Sequence, residues 1–159
     1  MQSSLLMISK LLSLALIAFV SLSGQETSFA VVLKPHVPDS IELSDELRGI
    51  LQKKMVQMCT QNGVEAGESK YVIYPEIRVK GAEMTATIPP KCVLELAVIV
   101  KVVDSQTDER ISQTDFVLKA IESDQDKALY KAISRMNVKT SKIRKFMVVT
   151  KDKIEELCK

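Results

Sequence analysis

The sequence predicts one α/β domain of the α+β type, in which helices pack on a mixed, mostly antiparallel sheet. Residues 93–121 form two runs of alternating apolar and polar side chains separated by a polar turn, which is typical of a β-hairpin. Three other segments repeat apolar residues at three- and four-residue spacing, which is typical of amphipathic helices. Strands grouped together with helices around them indicate the order β-α-β-β-β-α-α.

The predicted order begins with a short strand and a helix. Val31–Leu33 is a short apolar run that is followed by Pro35, as expected of a strand. Ser44 is a candidate N-cap for the helix, because the acidic residues at 45–46 complement the helix dipole. One face of this helix is apolar: Leu47, Ile50, Leu51, Met55 and Met58. Asn62-Gly63 should end it, because both residues accept the left-handed conformation of a C-cap.

Strands dominate the middle of the chain. Tyr71–Tyr74 and Ile77–Lys80 are rich in β-branched and aromatic residues, and Pro75 between them indicates an edge strand or a bulge. Pro89-Pro90 then breaks the chain before the hairpin of residues 93–121.

Two helices follow the hairpin. Ser123 is a candidate N-cap for the first, whose apolar stripe covers residues 128–136. The last helix is expected from about Ser141 to Leu157. Basic residues cluster at its start: Lys139, Lys142, Arg144 and Lys145. We interpret the cluster as a solvated face, offset by Glu155 and Glu156.

Residues 1–30 have the pattern of a cleaved signal peptide. Lys10 precedes Leu11–Val20, a run without an ionisable group, and Ser28-Phe29-Ala30 predicts cleavage after Ala30. A retained membrane anchor is the alternative, but the run is shorter than the roughly 20 apolar residues that a spanning helix needs. A hydrophobic leader on a cytosolic protein is the third interpretation. We expect residues 31–159 to form one exported domain, periplasmic or extracellular, with no stable membrane span after processing.

The charge and the aromatic content restrict the partners. Lys and Arg number 22 against 20 Asp and Glu, a net charge of +2, which does not favour binding to nucleic acid or to an anionic membrane. Tryptophan is absent and aromatic residues make up 4% of the chain, so stacking platforms for sugars or bases are not expected.

Three cysteines, Cys59, Cys92 and Cys158, lie in the predicted domain. Their spacing matches no zinc or redox motif. Buried free thiols are the preferred interpretation, since a free cysteine packs as a small apolar side chain. A disulfide between one pair and a reactive thiol remain open, and Cys158 near the chain end is the candidate for an intermolecular bridge.

No catalytic residue, cofactor site or metal site is predicted. The one histidine, His36, lies in a proline-flanked loop, and the sequence has neither a G-x-S-x-G elbow nor a phosphate-binding glycine motif. Asp104, Asp108 and Glu109 could attract calcium, but they lack the spacing of an EF-hand loop and fit a polar turn better. The sequence therefore indicates a protein that is not an enzyme.

The pattern resembles a periplasmic α/β domain found in the amino-terminal domain of the TolB translocation protein and in the curli secretion channel lipoprotein. It also resembles small secreted Bacteroidetes proteins of unassigned function. The similarity rests on four features. A helix ends at Asn62-Gly63, and a strand then opens with Tyr71-Val72-Ile73. A long strand ends at Val102-Val103-Asp104 before a Thr107-Asp108 turn, and a helix with Ala128, Ala132 and Ile133 follows Ser123. The chain lacks a lipid-attachment cysteine and the hairpin glycine of that pattern. The resemblance implies a binding or assembly module in the cell envelope and transfers no catalytic residue.

The leading hypothesis is an exported, non-enzymatic envelope protein that binds an unknown envelope protein or self-associates. The predicted contact surface is an exposed edge strand near Tyr71 to Lys80, with Tyr71, Tyr74 and Ile77 as the named contact residues. The alternative is a carrier of a small apolar ligand, with a pocket between sheet and helices. Its predicted lining is Met55, Met58, Phe116 and Met147.

Overall fold

A five-stranded mixed sheet with three helices packed on one of its faces forms the domain in the computed structural model, which describes residues 30–159. The elements in chain order are β1 (Val32–Pro35), α1 (Asp45–Thr60), β2 (Glu65–Ala66), β3 (Tyr71–Met84), β4 (Cys92–Asp104), β5 (Glu109–Glu122), α2 (Gln125–Ser134) and α3 (Ser141–Leu157). The predicted fold class is confirmed. The two-residue strand β2 is an addition, because so short a strand leaves no periodicity to detect.

The strand order in the sheet is β2-β1-β3-β4-β5. β1 pairs in parallel with β2 and with β3, whereas β3, β4 and β5 form an antiparallel meander. The parallel strands β1 and β2 are joined through α1, because parallel neighbours need a crossover connection. Cys92 to Asp104 pairs along its whole length with both neighbours, so β4 is the central strand of the meander.

Strict alternation along β4 directs one set of side chains to the helices. Leu94, Leu96, Val98, Val100 and Val102 are almost fully buried, and they join the helices in one core cluster. The intervening side chains, from Val93 to Val103, are half-buried. The helices therefore cover one face of the sheet, as the hairpin pattern predicted.

The ends of α1 follow the predicted signals. The hydroxyl oxygen of Ser44 accepts a hydrogen bond from the Leu47 backbone N–H at 3.3 Å, which confirms the N-cap. Gly63 has a φ of +80°, so the chain leaves the helix through the left-handed conformation expected there.

The N-cap of α2 is Asp124, and the expectation of Ser123 is wrong by one residue. The Asp124 carboxylate accepts from the Lys127 backbone N–H at 2.9 Å, while the Ser123 hydroxyl donates to the same carboxylate at 2.8 Å. An anion at this position interacts better with the helix dipole than a hydroxyl does. Thr140 caps α3 in the same way, accepting from the Ile143 backbone N–H.

Candidate functional site

Most of β3 lacks a neighbouring strand on the side away from β4. The register of β1 against β3 ends at Pro35 opposite Ile73, and the last hydrogen bond runs from the His36 backbone N–H to the Ile73 carbonyl at 3.0 Å. β3 continues to Met84, paired with β4 throughout. Among the described residues, Pro75–Met84 therefore presents an unpaired side, which we call the β3 edge.

The orientation of the backbone explains why a proline is tolerated in β3. The Ile73 carbonyl points toward β1, and backbone groups of alternate residues in a strand point to the same side. Pro75 and Ile77 therefore direct their backbone groups toward the open side. The N–H that proline lacks falls where no ladder bond is made, which is the position expected of an edge proline.

Two ion-pair clusters flank the β3 edge on the face without helices. The ammonium of Lys101 at 2.6 Å and the guanidinium of Arg78 hold the pKa of Glu76 below its ordinary value. Lys119 at 2.8 Å and Lys80 at 3.3 Å do the same for Glu95. Each carboxylate is shared between two cations, so the two clusters together carry two more positive than negative charges.

Exposed apolar side chains lie along the β3 edge and at the following turn. Val79 is 55% exposed and Met84 is 60% exposed, and Ile88 is fully exposed in the loop to β4. A bulge at Val79/Gly81 interrupts the register with β4. Val79 lies within the predicted edge strand of residues 71–80 but was not named as a contact, and Met84 and Ile88 lie beyond that strand. Their position beside the Pro89-Pro90 break was the available signal.

The opposite edge of the sheet, formed by β5, is protected by lysine side chains. The Lys131 ammonium donates to the Ile121 carbonyl at 3.1 Å, and the Lys153 ammonium donates to the Ile111 carbonyl at 3.0 Å. Both carbonyls belong to β5. Lysine side chains from α2 and α3 thus occupy acceptors near the two ends of this strand, which is one way in which proteins protect sheet edges.

The three residues predicted for an interaction edge lie in different surroundings. Tyr71 is buried, and its neighbours Val72 and Ile73 pair with β1 as well as with β4, so Tyr71 is not at a free edge. The sequence could not reveal this, because the short β1 binds only the first part of β3. Tyr74 and Ile77 are half-buried, and Ile77 belongs to the β3 edge.

Tyr71 instead joins the start of β3 to the end of α3. Its hydroxyl lies 3.9 Å from the Cys158 sulfur, and the Lys70 ammonium lies 4.8 Å from its ring centre. Burial raises the pKa of Tyr71. Lys70 also pairs with buried Asp104 at 3.0 Å. The backbone N–H of Gln106 and the Lys70 ammonium lower the pKa of Asp104, so its charge fixes the β4–β5 turn.

The three cysteines are free, two of them buried and Cys158 exposed. Burial raises the pKa of the Cys59 thiol to about 12, which makes it a poor nucleophile. Tyr71, beside Cys158, is opposite Asp104 at one end of β4, and Cys92 is at the other end. At about 3.4 Å per residue these ends are about 40 Å apart, so Cys92 and Cys158 of one chain cannot form a disulfide.

The residues considered for chemistry do not converge. His36 is exposed and uses its backbone N–H in the β1–β3 ladder. Asp104 pairs with Lys70, whereas Asp108 adopts a φ of +60° in the turn that follows β4. Between residues 30 and 159, no three His, Cys, Asp or Glu side chains are grouped so that they could hold a metal ion.

The side chains predicted to line an apolar pocket form part of the core. Met55, Met58 and Met147 have no exposed surface, and Phe116 packs against the same cluster. A surface depression near the start of β1 is lined by other residues, Val31 among them. No helix of residues 30–159 has the length and the apolar character needed to cross a membrane. The predicted signal peptide and its cleavage after Ala30 lie almost entirely outside the described residues.

No family model matches the sequence, and no curated protein does. Several solved structures resemble the chain at low identity. A minor lipoprotein from Acinetobacter baumannii is 12% identical, with a TM-score of 0.43, and the match covers 79% of this chain and 94% of that one. The PelC dodecamer from Paraburkholderia phytofirmans is 11% identical, with a TM-score of 0.41 over 75% of this chain and 86% of that one. A lipoprotein from Neisseria meningitidis is 10% identical, with a TM-score of 0.38 over 64% and 90%. These matches do not support the specific resemblance to TolB or to Bacteroidetes proteins.

Proposed function

We propose that this protein is an exported, non-enzymatic component of the cell envelope that binds another protein at the β3 edge. One observation carries the proposal: Pro75–Met84 has an unpaired side, although the same strand is enclosed by β1 and β4 at its beginning. Unpaired strand edges can bind extended peptide segments by continuing the sheet.

The expected ligand is an extended, partly apolar segment of a partner protein. Backbone groups of Ile77 and Val79 would pair with the segment, because residues at alternate positions from Ile73 point to the open side. Val79, Met84 and Ile88 would supply apolar contacts from their exposed side chains. The clusters at Glu76 and Glu95 hold four cations against two carboxylates, so negative charge on the segment would favour its association.

The pattern of residues 1–30 supports export. The distance between the side chains that could act as a catalytic base and as a nucleophile supports a role other than catalysis. His36 lies at the end of β1, while Cys158 lies beside Tyr71 and carries no histidine partner among the described contacts. A nucleophile and a base within hydrogen-bonding reach are the minimum for acyl transfer. Intact-mass analysis of native protein tests export directly, since a mature chain beginning at Val31 is expected and a retained residue 1–30 segment would disprove it.

The edge is tested by affinity capture from fractionated envelope extract, with quantitative mass spectrometry. Tyr74→Lys, Ile77→Lys and Val79→Lys should each reduce recovery of the partner. Val117→Lys is the matched control, because Val117 is a comparably exposed valine (45%) on β5. Equal recovery by Val79→Lys and Val117→Lys, with both variants folded by circular dichroism, would place the contact elsewhere.

A further inference from the structure

The outward face of α3 carries an exposed stripe with an ordered charge pattern. Ile143, Phe146, Met147, Thr150 and Ile154 of this helix are buried against the core. The opposite side presents Lys145, then Val148 (56% exposed) and Val149 (47% exposed), then Asp152. These four residues recur at three- and four-residue spacing, so they lie on one side of the helix. We call them the α3 stripe.

The charges of α3 run against its own dipole. Anions are favoured at the N-terminus of a helix and cations at its C-terminus. α1 has acidic residues in its first turn, and α2 has Asp126 in the first turn and Lys131 in the last. α3 has no acidic residue in its first turn and no basic residue in its last. Lys142, Arg144 and Lys145 lie in its first half, whereas its second half carries one net negative charge, from Asp152, Glu155 and Glu156 against Lys151 and Lys153.

We infer that the α3 stripe binds the same stripe of a second copy of this chain, with the two helices antiparallel about a two-fold axis. The axis would pass between Val148 and Val149. Lys145 and Asp152 are equally far from this midpoint, each about 5 Å along the helix at 1.5 Å per residue. Each Lys145 would therefore face Asp152 of the other copy, and the valines would pack against each other between the two ion pairs.

The charges outside the stripe do not decide the orientation, because Arg144 and Lys153 are equally distant from the midpoint and carry like charges. Lys142 and Glu155 are also equally distant from the midpoint. Within one chain, however, Lys142 pairs with Asp115 at 3.3 Å, and Lys151 approaches Glu155 at 3.7 Å. Lys145 and Asp152 make no ion pair with any residue in the described range 30–159. The reciprocal Lys145–Asp152 contacts thus carry the proposed orientation.

The antiparallel arrangement also offsets the unfavourable interaction between the charges of α3 and the dipole of the same helix. The acidic end of each α3 would lie beside the basic start of the other, and two antiparallel helix dipoles attract. A parallel pairing would place like charges together. The surface is separate from the β3 edge, so this inference does not depend on the proposed function.

Sedimentation velocity of the purified protein, from about 1 to 500 μM under reducing conditions, tests the proposal. One helix pair is a small interface, so a reversible, concentration-dependent dimer is expected. The reducing conditions remove any disulfide through exposed Cys158. Lys145→Glu and Asp152→Lys should each raise the dimer Kd about tenfold or more, because each places like charges together twice. Lys91→Glu, an exposed lysine in the β3–β4 loop, is the control for net charge and should leave Kd unchanged.

Mixing the variants provides the decisive measurement. In a mixed dimer of Lys145→Glu with Asp152→Lys, both contacts join opposite charges, so the mixture should associate about as well as the unmodified protein. This recovery also shows that both variants are folded. A protein that stays monomeric at the highest concentration would overturn the proposal. So would a Kd that the two substitutions leave unchanged, or a mixture that associates no better than its components.

Discussion

The hydroxyl pair between β5 and α3 provides the most precise stability prediction. Ser112 and Thr150 are both buried, and their hydroxyl oxygens are 2.6 Å apart. The Thr150 hydroxyl has one hydrogen, which it donates to the Phe146 carbonyl at 2.7 Å. Ser112 must therefore be the donor to Thr150. The two positions are unequal, because a substitution of Thr150 removes the acceptor for Ser112 and the donor to Phe146, whereas a substitution of Ser112 removes one donor.

Thr150→Val keeps the shape of the side chain but leaves the Ser112 hydroxyl hydrogen without an acceptor. A buried unsatisfied group costs about 1–3 kcal/mol, so we expect a loss of about 2 kcal/mol in the free energy of unfolding. Ser112→Ala leaves the Thr150–Phe146 bond intact. Its expected cost is about 1 kcal/mol, the usual net contribution of one hydrogen bond. The double variant should lose less than the sum, by about 1 kcal/mol.

Urea denaturation followed by circular dichroism measures all three values, with unchanged m-values as the condition for comparing them. Thr114→Val is the matched control, because Thr114 is buried on the same strand and its hydroxyl makes no side-chain hydrogen bond within residues 30–159. We expect it to cost less than Thr150→Val. Strict additivity of the Ser112 and Thr150 substitutions would refute the assigned bond, as would a larger cost for Ser112→Ala than for Thr150→Val.

Two further predictions concern titration and thiol reactivity. Lys101 lowers the pKa of Glu76, and Lys119 lowers the pKa of Glu95. The stability that these two carboxylates add to the folded state is therefore fully present above the unfolded pKa of 4.5, and it is lost as the pH falls through the lower folded pKa values. The unfolding free energy should fall between about pH 5 and pH 3, and Glu95→Gln should reduce this slope; an unchanged slope would contradict the assignment. Under native conditions a thiol reagent should modify Cys158 rapidly and Cys59 and Cys92 only after denaturant is added, whereas rapid modification of more than one thiol by intact mass would contradict the burial of the other two.

The sequence was sufficient for the elements whose periodicity is long. β4 alternates over its whole length, and α1 repeats its apolar residues between a serine cap and Gly63, so pattern and capping agree with the fold. β2 escaped detection because two residues carry no period. The cap of α2 was misplaced by one residue because Ser123 and Asp124 are both good caps, and the hydrogen bond from the Lys127 backbone N–H to the Asp124 carboxylate decides between them.

The candidate site was less predictable because it depends on where β1 stops. β-branched residues and Pro75 indicated an edge in β3, but local sequence does not say which partner strand ends first. β1 binds the beginning of β3 and leaves the remainder unpaired, so within the predicted edge of residues 71–80 only the part from Pro75 onward is free, and the free edge continues to Met84. The charges of α3 were visible in the sequence. Their alignment with an exposed valine pair required the burial of the opposite helix face to be known.

The position of β1 between β2 and β3 has a consequence for the order of folding. Asp104 pairs with Glu109 across a short turn, so the β3–β4–β5 meander closes through contacts that are near in sequence. Lys34 must reach Val72 past α1, a larger loop with a higher entropic cost of closure. The meander is therefore the natural nucleus, and β1 docks onto a sheet that has already formed. Local unfolding should occur in the reverse order, so the backbone amide hydrogens of β1 should exchange with solvent before those of β4.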